Sequence, residues 1–127
     1  MPTLYLDASA LVKLVRIEAE TPALRETVRM PDVRAASSVI AVAEVGRAAR
    51  RMGRSPDEAL GGVVLMDVSD AILQRAAVID PPSLRTLDAI HLATALTLGD
   101  DLDGFVAYDR RLEEAATAAG LRVLSPA

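Results

Sequence analysis

The chain of 127 residues contains no cysteine, which excludes a disulfide scaffold, a thiolate nucleophile and any cysteine-held metal and accords with a reducing compartment. Its only aromatics are Tyr5, Phe105 and Tyr108, too few for the base-stacking platforms of RNA-recognition modules. No apolar run approaches the ~18 residues of a membrane helix, so no membrane span is expected. The opening MPTLYLDASALVKLV lacks a basic segment and is interrupted by Asp7. It does not read as an export signal, and a cytoplasmic location is expected. Histidine occurs once, at His91, and of the 14 basic residues all but Lys13 are arginine, the side chain whose planar fork suits phosphate and carboxylate. A net charge of −4 argues against nucleic acid unless the charges are segregated.

What is present is globular. Hydrophobic residues make up 51% and charged residues 25%, too apolar for disorder. One domain over residues 1–127 is expected from length, and surface scaling gives roughly 6,500 Å² exposed once folded.

Residues 3–6 form a short apolar run ending at Asp7, and residues 8–16 a helical stretch. Thr21-Pro22 predicts an N-cap and a first-turn proline for a helix over about 22–30. A short strand at 34–38 precedes a helix over 38–52, with Ala41, Val42, Val45, Ala48, Ala49 and Met52 on one face and Gly53 as its stop. Ser55-Pro56-Asp57-Glu58 has the pattern of a capping box for a short helix near 56–61. Residues 63–69 read as a strand, followed by a helix capped by Ser69 or Asp70 and closed by Asp80-Pro81-Pro82. The most apolar helix covers 84–98, then come a strand at 105–108, a helix at 110–119 stopped by Gly120, and a last strand at 121–124. Strands alternating with helices predict a parallel sheet covered on both faces, an α/β three-layer domain.

In such sheets ligands gather beyond the carboxyl ends of the strands. Asp7 and Asp109 stand there, each at the start of a helix, where Asp is also a favoured N-cap. Asp88 sits in a helix apolar nearly all round and is expected to be buried, hence protonated, ion-paired with an Arg, or bound to metal. Glu44 lies at the edge of an apolar helix face beside Arg47, Arg50, Arg51 and Arg54, whose spacing gathers four guanidinium groups on one side. That stripe is either a solvated face or a phosphate-binding rim, and Arg110, next to Asp109, is a further candidate for phosphate. Four acids with one His and no Cys fit a hard cation, Mg²⁺ or Mn²⁺, better than Zn²⁺. Such ions activate water in phosphodiester hydrolysis. His91, one turn from Asp88 in an apolar helix, is read as structural or supporting rather than as a base.

The segments YLDASALVKL, SSVIAVAEVGRA, LRTLDAIHLATAL and FVAYDRRLEEAATAAGLRVLSP resemble PIN-domain proteins, specifically the VapC-type toxins of bacterial toxin–antitoxin pairs, over essentially the whole chain. The resemblance implies an acidic quartet at Asp7, Glu44, Asp88 and Asp109, with none of the four missing. Ser9 matches the family's small hydroxyl residue, and Thr86 the polar residue before the third acid. Also implied are strand order 3-2-1-4-5, Mg²⁺- or Mn²⁺-dependent endoribonuclease activity, a homodimer, and neutralisation by a VapB-type antitoxin.

The leading expectation is a metal-dependent endoribonuclease in which Asp7 and Asp88 hold the principal ion, Glu44 and Asp109 complete the site, and Ser9 and Thr86 orient waters or phosphate oxygens. Two alternatives remain at this level. One is a phosphatase or phosphoryl-accepting domain with Asp7 as covalent nucleophile; the other is a partner-binding module whose acids serve as caps and ion pairs.

Overall fold

A computed structural model covers residues 1–127. The central strand β1 (Thr3–Leu6) is buried at every residue and pairs in parallel with β2 (Arg34–Ser38) on one side and β4 (Gly104–Val106) on the other. Outside these lie β3 (Val64–Met66) and β5 (Val123–Leu124), also parallel, giving the order β3-β2-β1-β4-β5. This is the expected three-layer α/β arrangement with the expected strand order. The register sets Tyr5 opposite Phe105 and Leu6 opposite Val106, so β1 and β4 end together.

Alternation along β1 divides the core. Leu4 and Leu6 pack with Leu11 of α1 (Ala8–Lys13), Leu24 of α2 (Thr21–Val28), Val45 of α3 (Ala41–Arg51) and Ala59 of the one-turn α4 (Asp57–Leu60). Tyr5 points the other way, with Phe105, against Leu92 of α6 (Thr86–Leu96) and Leu112 of α7 (Arg110–Ala118). A satellite cluster joins Ile72 of α5 (Asp70–Ala77) to Ile90 and Ala93 of α6. The folded chain exposes 6926 Å², close to the scaling expectation. No helix is long and apolar enough to cross a membrane.

Local chemistry explains most boundaries. Asp7, Ser69 and Asp109 cap α1, α5 and α7 by accepting from the backbone N–H groups of Ala10, Ile72 and Leu112. Gly53 and Gly120 stop α3 and α7 at φ +65 and +91, a region costly for other residues.

Four expectations are corrected. Helix α1 ends at Lys13 rather than Arg16, because Leu14 and Val15 tighten to Leu11 and Val12. Thr21 does not cap α2: its buried hydroxyl accepts from the Glu18 N–H and donates to the Lys13 carbonyl, closing the end of α1 instead. Val42 is 48% exposed rather than part of the core face of α3. The Ser55 hydroxyl accepts from the Asp57 N–H at 3.2 Å without a reciprocal Glu58 bond, so α4 is a single turn.

Replacing Ser69 by Ala leaves the Ile72 N–H without its partner and is expected to lower the unfolding free energy by about 1 kcal/mol, with Ser69→Asp recovering it. Urea unfolding of the three proteins measures this. Equal midpoints for wild type and Ser69→Ala contradict the cap.

Candidate active site

The strand order places a topological switch at the carboxyl ends of β1 and β4, where a crevice opens between chains running to opposite sides. Asp7 follows β1 and is 2% exposed. Its Oδ1 accepts from the Ala10 N–H at 2.9 Å, and the Ser9 hydroxyl lies 2.7 and 2.8 Å from its two oxygens. The Ser9 oxygen also accepts from the Tyr108 N–H at 3.0 Å, so one side chain stitches the ends of β1 and β4. Burial pushes the Asp7 carboxyl up to about 6, although the Ala10 and Ser9 hydrogen bonds pull it back. The Ser9 hydroxyl therefore serves Asp7 and the β4 backbone rather than standing free for water or phosphate.

Glu44, half-buried in the first turn of α3, meets His91 of α6, with Oε1 at 2.7 Å from Nε2. The His91 ring is fully buried, and its Nδ1 lies 2.7 Å from the Tyr5 hydroxyl. A carboxylate only accepts, so the network assigns the proton to Nε2 and leaves Nδ1 to accept from Tyr5. Burial drives the Tyr5 phenol far above its usual range, which keeps it a donor. The expectation of a supporting His91 is met in geometry. Tyr5 was not singled out by the sequence, where it reads only as a strand residue.

Asp88 occupies the first turn of α6 and is half-buried, not enclosed as its apolar helix suggests. The buried part of that helix begins at Ala89. Burial first, then the neighbouring charge of Asp109, raises the Asp88 carboxyl, and Glu44 adds to the effect. No ion pair involves Asp7, Asp88 or Asp109, and Glu44 pairs only with His91. Of the three alternatives for Asp88, an ion pair with an Arg is not formed.

A cleft of about 600 Å³ runs along these residues, lined by Ser9, Glu44, Tyr108 and Asp109 and by the cations Lys13, Arg16 and Arg51. Asp7 adjoins it through Ser9, and Asp88 through its proximity to Asp109 and Glu44. The arginine stripe divides. Arg51 faces the cleft, Arg54 donates to the Val15 carbonyl at 3.2 Å, and Arg47 and Arg50 are exposed outside it. Arg110 pairs with Glu114 on the surface of α7. Thr86 is exposed beside an apolar hollow between α5 and α6 rather than in the cleft.

As the side chains stand, no three His, Asp or Glu groups are drawn into a ready-made metal cage. Yet Asp7, Glu44, Asp88 and Asp109 are close enough to perturb one another: Asp88 acts on Asp7, and Asp109 and Glu44 act on Asp88. Mutual repulsion of like charges opposes closer approach. The donor set is all carboxylate, with the one imidazole engaged at both nitrogens. Such a set fits a hard divalent cation and not zinc.

Two predictions follow the geometry. Tyr5→Phe leaves the buried His91 Nδ1 without a partner and is expected to lower stability by about 1 to 3 kcal/mol, read by denaturant unfolding. An unchanged midpoint contradicts the bond. Asp7 titrates at about 6 when folded and near its ordinary 3.8 when unfolded, so the folded chain binds the extra proton between these values. The stability contributed by the neutral carboxyl is complete below the unfolded value and is lost as pH rises through about 6, a change of about 3 kcal/mol. The difference in unfolding free energy between wild type and Asp7→Asn, measured in EDTA, should fall by that amount over this window. A flat difference contradicts it.

Comparison with known proteins agrees with the fold and sharpens the family. The family model described as PIN domain matches residues 4–118. Ribonuclease VapC46 of Mycobacterium tuberculosis is 44% identical over 133 aligned residues, covering 99% of each chain. Ribonuclease VapC35 of the same species is 40% identical over 130, covering 97% of this chain and 96% of its own. Among solved structures, a toxin–antitoxin complex from Klebsiella pneumoniae superposes with a TM-score of 0.71 at 23% identity, covering 98% of both chains. Mycobacterium tuberculosis VapC20, described as a Sarcin-Ricin loop cleaving toxin, superposes with 0.66 at 18% identity, covering 97% of this chain and 99% of that one. With a matched domain model and relatives this close along nearly the full length, the chain belongs to the PIN-domain family, among the VapC ribonucleases.

Proposed function

We propose that the chain is a divalent-metal-dependent endoribonuclease and the toxin of a VapBC-type pair, with RNA as substrate and a VapB-type antitoxin as partner, acting as a homodimer. What supports the chemistry is the influence of Asp88 on Asp7, and of Asp109 and Glu44 on Asp88, near the β1/β4 switch, with no salt bridge to Asp7, Asp88 or Asp109. The relatives named as ribonucleases support RNA as the substrate.

Asp7 and Asp88 would hold the principal Mg²⁺ or Mn²⁺, with Glu44 and Asp109 completing the site. When bound, that ion supplies an activated water and charge stabilisation for a leaving oxygen. The chain's own residues supply order. Ser9 and the Ala10 N–H fix the Asp7 carboxylate, His91 fixes Glu44, and the Leu112 N–H fixes Asp109. Arg51 on the cleft wall meets backbone phosphate, and Arg47 and Arg110 extend the basic rim outside it.

The product ends follow from the nucleophile. With the ion activating water, water and not the ribose 2′-hydroxyl attacks, and the products carry 5′-phosphate and 3′-hydroxyl ends. His91, enclosed between Tyr5 and Glu44, is left to a supporting role.

Asp7→Asn and Asp88→Asn are each expected to lower RNA cleavage at least about a hundredfold while keeping a cooperative unfolding transition. Excess EDTA should silence the wild type, and Mg²⁺ or Mn²⁺ should restore it. Sequencing of RNA 5′ ends after brief expression, with Asp7→Asn as control, identifies the sites. Cleavage that persists in either variant or in EDTA, or products ending in cyclic phosphate, overturns the mechanism.

A further inference from the structure

The chain's one lysine stands on the wall of the cleft at the end of α1. Its Nζ lies 2.7 Å from Glu18 Oε2 and 3.3 Å from Glu20 Oε2, and 4.7 Å above the centre of the Tyr108 ring. Arg16 Nε holds the other Glu18 oxygen at 2.9 Å. Tyr108 is fixed in turn, its hydroxyl donating to the Pro126 carbonyl at 2.6 Å and its N–H to Ser9, and it immediately precedes Asp109. The ammonium is therefore seated against the same β4 end that carries part of the acidic site.

The two halves of this ion pair differ in exposure. The Lys13 side chain is 13% exposed, whereas those of Glu18 and Glu20 are 32% and 31% exposed, on the connection between α1 and α2. The lysine is packed into the wall, and the glutamates reach it from the solvent side. Two carboxylates occupy two of the three ammonium donors, and a lysine exchanges anionic partners more readily than a bidentate arginine fork. The cleft wall carries Lys13, Arg16 and Arg51 against Glu18, Glu44 and Asp109. Glu18 is thus the acid of that wall that neutralises cations rather than joining the acidic site. A phosphate replacing a glutamate at Lys13 conserves the charge of the contact.

We propose that Lys13 binds a backbone phosphate of the RNA, and that Glu18 and Glu20 hold it in the free protein as stand-ins that the RNA displaces. This rests on the ribonuclease reading and adds a substrate-binding residue to it. A purely structural ion pair predicts that removing either side weakens the protein in the same sense. Displaceable stand-ins predict opposite effects on RNA affinity.

Initial rates of cleavage of total bacterial RNA, measured against RNA concentration at fixed Mg²⁺, separate the two. Lys13→Met is expected to raise the half-saturating RNA concentration about tenfold, with the maximal rate within about twofold of wild type. Lys13→Arg should retain most of the affinity, and it keeps the test valid if the methionine variant folds poorly. Glu18→Gln with Glu20→Gln should lower the half-saturating concentration by about threefold or more. Shifts in the same direction for the lysine and glutamate variants, or no shift in either, overturn the proposal while leaving the ribonuclease reading standing. A wild type whose RNA cleavage equals that of Asp88→Asn overturns both.

Discussion

An ionised carboxylate buried in a protein interior is unfavourable by several kcal/mol unless donors surround it, and the end of β1 is organised around that constraint at Asp7. Its donors come from the next turn of its own chain, the Ala10 N–H and the Ser9 hydroxyl. Ser9 can serve only because the β1/β4 register brings the Tyr108 N–H to its oxygen. The strand pairing, the start of α1 and the direction of the chain into α7 are thus tied to one side chain. Even with these bonds burial keeps the carboxyl raised. A divalent cation held there would favour its ionised form.

The second constraint is the buried imidazole. His91 joins Tyr5 of the central strand to Glu44 of α3, linking one face of the sheet to an acid of the site across the third layer. Tyr5 is available because alternation along β1 turns it away from Leu4 and Leu6, and its ring is fixed by parallel stacking on Phe105 at 5.5 Å. In this position the histidine holds Glu44 against α6, and both of its ring nitrogens are engaged inside the protein.

Features governed by neighbours in the chain were legible in the sequence. Asp7, Ser69 and Asp109 announce helix starts, Gly53 and Gly120 announce stops, and short apolar runs between them mark the five strands. The acids were legible in part: a carboxylate in an apolar helix, as at Asp88, stands out, whereas Asp7 and Asp109 read equally well as the helix caps they are and gained weight from the family resemblance. Features set by distant partners were not. Tyr5 and His91 are 86 positions apart, and His91 and Glu44 are 47 apart, so no local pattern pairs them. Thr21 followed by proline reads as a cap, but the Lys13 carbonyl and the Glu18 N–H compete for its hydroxyl and win. The spacing of Arg47, Arg50, Arg51 and Arg54 gave a stripe, whereas the nearby end of α1 takes Arg54 through the Val15 carbonyl and only Arg51 of the four lines the cleft.

Net charge was the weakest guide of all. A total of −4 disfavours a polyanion only if the charge is spread evenly, and here it is not. The four site acids account for −4 by themselves, so the remainder of the chain sums to −4 + 4 = 0. Next to those acids the cleft wall carries three cations, two of them held by Glu18. An RNA strand approaching this wall meets a largely buried Lys13 and a more exposed Arg16, both already oriented by carboxylate oxygens of Glu18. With only three aromatics in the chain, Tyr5 and Phe105 buried in the core and Tyr108 committed to Lys13 and Pro126, base stacking adds little. On the proposed reading, affinity is then carried by contacts between backbone phosphate and the cations of the cleft wall, and it falls as salt rises.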